Sequence, residues 1–184
     1  MRHNAKILLL ISALAIIGCR EDVLPKPKAM LRLEYKQGDT QSFTADNYKF
    51  RINQLAEIEE NEVASLTVHY PEMKGSIFMT YKEIDNNVES LLADAQKLAY
   101  EHVVKADNIV EQPFVNENEN VFGMYYEVRG DAASQAQFYV TDSTTHFLTG
   151  SLYFYAKPNY DSIYPAAVYI QKDMRQIMET LRWK

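Results

Sequence analysis

A single cysteine, Cys19, carries all the thiol chemistry of this chain. One cysteine cannot close an intrachain disulfide, hold zinc through several thiolates or build an all-cysteine iron–sulfur cluster. An ordinary apolar core must therefore hold the fold together, and the material for one is present. Of 184 residues, 47% are apolar and 24% charged, the proportions of a globular domain rather than of a disordered tail or coiled coil. A net charge of −6 argues against a generally basic, nucleic-acid-binding surface.

The place of that cysteine says more. Met1-Arg2-His3-Asn4-Ala5-Lys6 is a short basic stretch, and residues 7–17 then run uncharged and mostly apolar. That run is too short for a bilayer span, which takes about 20 helical residues, but it has the length of a signal-peptide apolar region. Ile16-Ile17-Gly18-Cys19 resembles a bacterial lipobox, with the only thiol on the position that is lipidated. The expectation is a signal peptide over 1–18, cleavage before Cys19, and a diacylglycerol of palmitate-type chains on its sulfur. Each buried methylene contributes about 0.8 kcal/mol, so two or three chains anchor a protein essentially for good. Losing Arg2 and Lys6 leaves 17 basic against 25 acidic residues, a net charge of −8, so the lipid and not the surface does the holding.

Arg20-Glu21-Asp22 follows. It resembles the export tag of surface lipoproteins in Bacteroidetes-type bacteria, and the alternative is a solvated stub beside the anchor. The residue after the cysteine is not Asp, which favours the outer membrane. Val23-Leu24-Pro25-Lys26-Pro27-Lys28 is stiffened by its prolines, making 19–28 a short lipidated tether. Residues 29–184 show no repeat, low-complexity tract or second linker and read as one globular domain.

Alternation of apolar and polar residues marks strands at 30–35, 48–52, 64–70 and 75–81, the last two joined by a four-residue turn. The acid-rich 57–62 reads as a helix turn or loop. Asp85-Asn86-Asn87 offers N-cap candidates, with Asn86 and Glu89 at capping-box spacing, and Val88, Leu91, Leu92, Ala95, Leu98, Ala99, His102 and Val103 form a helical stripe running to about Ala106. Strands follow at 107–114 and 121–129, with a polar turn between them, then a hairpin from 135–141 and 146–156. The last helix begins near Asp161, with Pro165 in its first turn and Ala167, Ile170, Met174, Ile177, Met178 and Leu181 on its buried side. Two long amphipathic helices and about seven strands give an α+β fold. It is an α/β sandwich on an antiparallel sheet, resembling the Mog1/PsbP-like fold.

Chemical motifs are sparse. His69, His102 and His146 lack a second histidine at helical spacing, so no metal site and no cofactor is expected. Asp142, Ser143 and His146 share one turn with Ser151 nearby, but Asp, Ser and Thr serve a turn's own backbone bonding. Glu59-Glu60 reads as solubilising charge, and Arg129-Gly130-Asp131 as a strand followed by a turn. No phosphate loop, dinucleotide fingerprint, nucleophile elbow or zinc-protease motif occurs. The expectation is a protein that is not an enzyme.

Tyrosine is the compositional oddity, with 13 copies. Phe147, Thr149, Ser151, Tyr153 and Tyr155 share a strand face, and with Tyr139 they make a candidate partner-binding surface. Core packing beneath the terminal helix is the competing reading, and sequence leaves both open.

Several segments carry a family resemblance. Residues 26–35, Tyr70-Pro71-Glu72-Met73-Lys74, 94–98, 102–107, Gln112-Pro113-Phe114, 130–143 and above all 147–162 resemble the gliding motility lipoprotein GldD family. The resemblance implies a lipid-anchored envelope protein needed for gliding and for the linked type IX secretion system. Its partners there would be GldJ, GldK, GldL, GldM and GldN. It supplies no catalytic residue, and it leaves a peptidoglycan- or glycan-binding module as the alternative to an assembly factor.

Overall fold

Period-two patterning becomes a seven-stranded antiparallel sheet. The computed structural model describes residues 35–36, 38–61, 64–101, 105–156 and 159–184. The signal peptide, Cys19, the tether over 19–28, the alternating stretch before Tyr35, His102 and Val103 lie outside the described residues. The strands are β1 (Thr40–Thr44), β2 (Tyr48–Asn53), β3 (Glu57–Asn61), β4 (Ser65–Tyr70) and β5 (Gly75–Glu83). After these come β6 (Asn108–Asn116), β7 (Val121–Arg129), β8 (Ser134–Thr141), β9 (His146–Phe154) and β10 (Arg182–Trp183). Helix α1 (Val88–Tyr100) separates β5 from β6, and α2 (Tyr160–Thr180) precedes β10. The large sheet runs β3-β4-β5-β9-β8-β7-β6, and β1-β2-β10 form a second sheet. The fold is α+β.

Register decides which side chains share a face. Leu66 opposes Met79, Val68 opposes Ile77, and Leu152 lies between Ile77 and Ala136. These residues join Ile170, Met174, Ile177 and Met178 of α2 and Tyr48, Phe50 and Ile52 of β2 in one buried cluster. The terminal helix and the small sheet therefore cover one face, here the inner face, of the large sheet. Each expected position of the α2 stripe, from Ala167 to Leu181, is buried. A fully buried large aliphatic side chain of this kind contributes about 1.5–3 kcal/mol. Two glycines permit the close approach. A Cβ on Gly75 would meet Ile170 Cδ1 at 2.7 Å, and one on Gly150 would meet the Phe138 ring at 2.3 Å.

Helix α1 contacts β8 from the other, outer face, burying Leu91 and Ala99. Tyr100 at its end donates to Glu111 of β6. Leu98 is 38% exposed, so the buried part of this helix is narrower than its sequence stripe.

Three local expectations are corrected. Residues 57–61 form a strand, β3, and not a helix turn, because five backbone pairings with β4 override a sequence with one apolar residue in five. Of the N-cap candidates Asp85, Asn86 and Asn87 it is Asn87 that caps α1, and the Asn86–Glu89 capping box does not form; the Asn87 carboxamide oxygen accepts instead from the Asp85 amide. Helix α2 starts at Tyr160, beside the expected Asp161, but Pro165 is its sixth residue and so lies in the second turn, where it withholds one helical amide donor. Two of the four-residue hairpin turns, over 71–74 and 117–120, share one construction, a 3-10 turn closed by a left-handed residue, Lys74 at φ 51° and Asn120 at φ 52°. Asparagine tolerates that conformation well, and lysine takes it at a small cost.

Candidate functional site

Three regions bring chemistry-bearing side chains together. The first is the 142–146 turn that the sequence made suggestive. The Asp142 carboxylate accepts from the backbone amides of Thr144 (3.0 Å), Thr145 (2.8 Å) and His146 (2.8 Å), and from the Thr144 hydroxyl (3.0 Å). Burial alone would push its pKa up, but these donors outweigh that and hold it below the usual carboxylate range. Ser143 sits at φ 68° with its amide donating to the Thr141 hydroxyl oxygen. His146 faces away from both: its Nδ1 lies 2.7 Å from the Tyr81 hydroxyl and its ring stacks on Trp183 at 5.0 Å. The acid builds a turn and does not orient an imidazole.

The second region is the outer face at β4, β5 and β9. Phe78 meets the Tyr153 ring edge-on at 5.9 Å, and the Ser76 hydroxyl lies 3.4 Å from that of Tyr155. Of the candidate partner-binding residues, Tyr155 is 63% exposed while Tyr153 and Tyr139 are half-buried. Tyr139 stacks on the buried Phe147 ring at 5.6 Å. Its register partner is Thr149, four residues along β9 from Tyr153, so it stands apart from the other two. Phe78, 42% exposed, takes its place beside Tyr153. The alternation of β5 was the sequence signal for it, since Phe78 falls between the buried Ile77 and Met79. Phe147 and Ser151 are buried, so the exposed aromatic surface is confined to one end of the strand face.

Beside these aromatics, His69 Nδ1 lies 3.0 Å from Ser76 Oγ, and Nε2 lies 2.9 Å from Glu59 Oε2. Acid, imidazole and hydroxyl follow the order of a hydrolytic triad. Ser76, however, is completely buried, so its hydroxyl has no open side for a substrate. Its direct register partner is His69, and the pairing of β3 with β4 brings Glu59 alongside them.

The third region was silent in sequence. Between the β1–β2 ribbon and α2 lies a cleft of about 250 Å³ lined by Thr40, Asn53, Tyr169, Lys172, Asp173 and Gln176, with Gly38 at its edge. Asp173 is 8% exposed and accepts from the Tyr70 hydroxyl at 2.8 Å. Asn53 Nδ2 lies 2.5 Å from the Tyr169 hydroxyl, which itself donates to the Lys36 carbonyl at 2.8 Å. Burial pushes the Asp173 carboxyl up, and the Tyr70 hydroxyl, the Asn53 amide and the Lys172 charge offset that only in part. Burial likewise raises Tyr70, reinforced by the carboxylate beside it. A carboxylate raised by burial in a cleft is a candidate functional group, and structural networks raise carboxyls in the same way. One signal could have found it: Asp173 interrupts the apolar stripe between Ile170 and Ile177.

Among the described residues, no three His, Cys, Asp or Glu side chains gather as metal ligands. No helix among them is long and apolar enough to cross a membrane. A family model described as gliding motility lipoprotein GldD matches residues 20–183. No curated protein matches the chain.

Proposed function

The chain belongs to the gliding motility lipoprotein GldD family, and from that premise we propose a lipid-anchored, non-enzymatic envelope component that assembles gliding and type IX secretion machinery through protein–protein contacts. Cys19 carries the lipid, the outer membrane holds it, and the proline-stiffened tether sets the folded domain a short way off the bilayer. Its protein partners are sought among GldJ, GldK, GldL, GldM and GldN.

The observation that supports a contact role is the aromatic end of the outer face, where Phe78 and Tyr155 are 42% and 63% exposed around the half-buried Tyr153. Aromatic side chains give much contact area at low entropic cost and recur as binding hot spots. Replacing Tyr153 and Tyr155 together by Ala is expected to abolish gliding while the lipoprotein stays folded and abundant, as judged by spreading assays and immunoblots. Unchanged motility would remove this face from the reading. Retention of the wild-type protein on purified cell wall would instead favour a peptidoglycan- or glycan-binding module.

The anchor is tested separately. Cys19→Ser is expected to leave the protein unprocessed or released from membranes, with no lipid label incorporated. Normal fractionation and labelling of that variant would contradict the anchor.

A further inference from the structure

The Asp173 cleft lies on the inner side of the large sheet, away from the aromatic face, and the contact role makes no use of it. Six residues put polar groups into its lining: a hydroxyl from Thr40, amides from Asn53 and Gln176, a phenol from Tyr169, an ammonium from Lys172 and a carboxylate from Asp173. Such a lining selects a polar ligand, since specificity in a small cleft comes from a few well-placed polar groups. The charges are also arranged by depth. Asp173 is 8% exposed, and its neighbour Lys172 is exposed at the rim.

Asp173 lacks a formal counter-charge in contact. Among the described residues its bonded neighbours are neutral, the Tyr70 hydroxyl from β4 and the Asn53 amide from β2. Lys172 acts on it through space without an ion pair. A buried carboxylate held by neutral donors is poorly compensated, because two neutral hydrogen bonds do not replace the hydration of a full charge. A primary ammonium entering the cleft would supply that charge. A ligand carboxylate one or two bonds further out would meet Lys172.

We propose that this cleft binds a small zwitterion of the amino-acid class, either free or as the terminal residue of a peptide, with its ammonium on Asp173 and its carboxylate on Lys172. Tyr169 and Asn53 hold the floor in place: the tyrosine hydroxyl is tied to both the Asn53 amide and the Lys36 carbonyl. Gln176 is left to bond the ligand's remaining polar atoms, and the Thr40 hydroxyl, which accepts from the Arg51 guanidinium, still has its proton to donate. The available volume suits one residue and excludes a folded partner.

Saturation-transfer NMR on the mature lipoprotein in detergent micelles tests this, with L-alanine as the probe and ethylamine and propionate as single-charge controls. L-alanine is expected to bind, ethylamine to bind at least about tenfold more weakly, and propionate to bind more weakly still. Asp173→Asn should abolish binding of both amines. Lys172→Met, a change at an exposed position that the fold tolerates, should weaken L-alanine alone.

The pH dependence supplies a readout that a purely structural Asp173 would not give. The titratable groups reaching it are Tyr70 from β4 and Tyr169 and Lys172 from α2. Alanine stays zwitterionic between about pH 5 and 8. Its affinity should therefore fall toward the acid end as Asp173 takes up a proton. Absence of L-alanine binding at about 10 mM, equal binding by Asp173→Asn, or ethylamine binding as well as L-alanine would each overturn the proposal.

Discussion

Asp142 and Asp173 are both carboxylates surrounded by hydrogen-bond donors, and they sit at opposite ends of one physical scale. Asp142 collects three backbone amides and a hydroxyl from residues two to four positions away. Asp173 is met by groups from β2 and β4, more than a hundred residues distant in the case of Tyr70. Local donors stabilise the charged form and make a turn. Distant neutral ones leave the charge undercompensated inside a cleft. Closeness in sequence made the Asp142 turn look chemical, whereas convergence in space gives Asp173 its site character.

The largest expected effect falls on Asp142. Asp142→Ala removes an acceptor shared by four donors and leaves three amides at the turn without their partner. A cost of about 2–3 kcal/mol at neutral pH is expected in urea unfolding. Because its folded pKa is lowered, this stability is present above the ordinary carboxylate range and disappears as pH falls through the folded value. A variant within experimental error of the wild type would erase the structural side of the comparison.

Asp173 should behave with the opposite sign. Its folded pKa is raised, so the wild type binds an extra proton above the ordinary carboxylate range, and stability falls as pH rises through the folded value. Asp173→Asn keeps an acceptor for the Tyr70 hydroxyl and loses the buried charge. It is expected to match the wild type near pH 4 and to exceed it near pH 8, the gap opening as pH rises through the folded value. Parallel pH profiles for the two proteins would place the charge penalty elsewhere.

A smaller change sharpens the same contrast. Tyr70→Phe deletes the phenol that donates to Asp173 at 2.8 Å and leaves the ring in the core. A loss of about 1 kcal/mol is expected at alkaline pH, together with a further upward displacement of the Asp173 carboxyl in a carbon-detected NMR titration. An unmoved titration would mean that the phenol does not stabilise the charge.

The sequence spoke clearly where one face of an element meets the core. All of α2's stripe is buried, and β2, β4, β5 and β7 appear where alternation put them. At sheet edges it spoke for β6, expected at 107–114, but was mute for β1, β3 and β10. In β3, Glu57-Ile58-Glu59-Glu60-Asn61 leaves only Ile58 part-buried, so neither period shows, and in β1 Thr, Gln and Ser mask the alternation around Phe43. Strand β10 is two residues long, below any periodic signal. The aromatic patch was half legible: its strand was found, but exposure depends on where α1 crosses. The cleft was not legible, because it is made by three elements meeting and only the misfit of Asp173 in an apolar stripe hints at it.

The small sheet joins the two ends of the described chain. Arg51 of β2 hydrogen-bonds Thr180 across 129 residues, and the Lys184 ammonium reaches the Ala45 carbonyl across 139. Contacts of such long separation form late, since the entropy of closing the intervening loop comes before their reward. For a polypeptide threaded through a translocation channel from its amino end, β1 and β2 would emerge first and wait for α2. Their aromatic side chains would remain open to holding chaperones for most of the passage, and the domain would become complete only after almost the whole length had crossed.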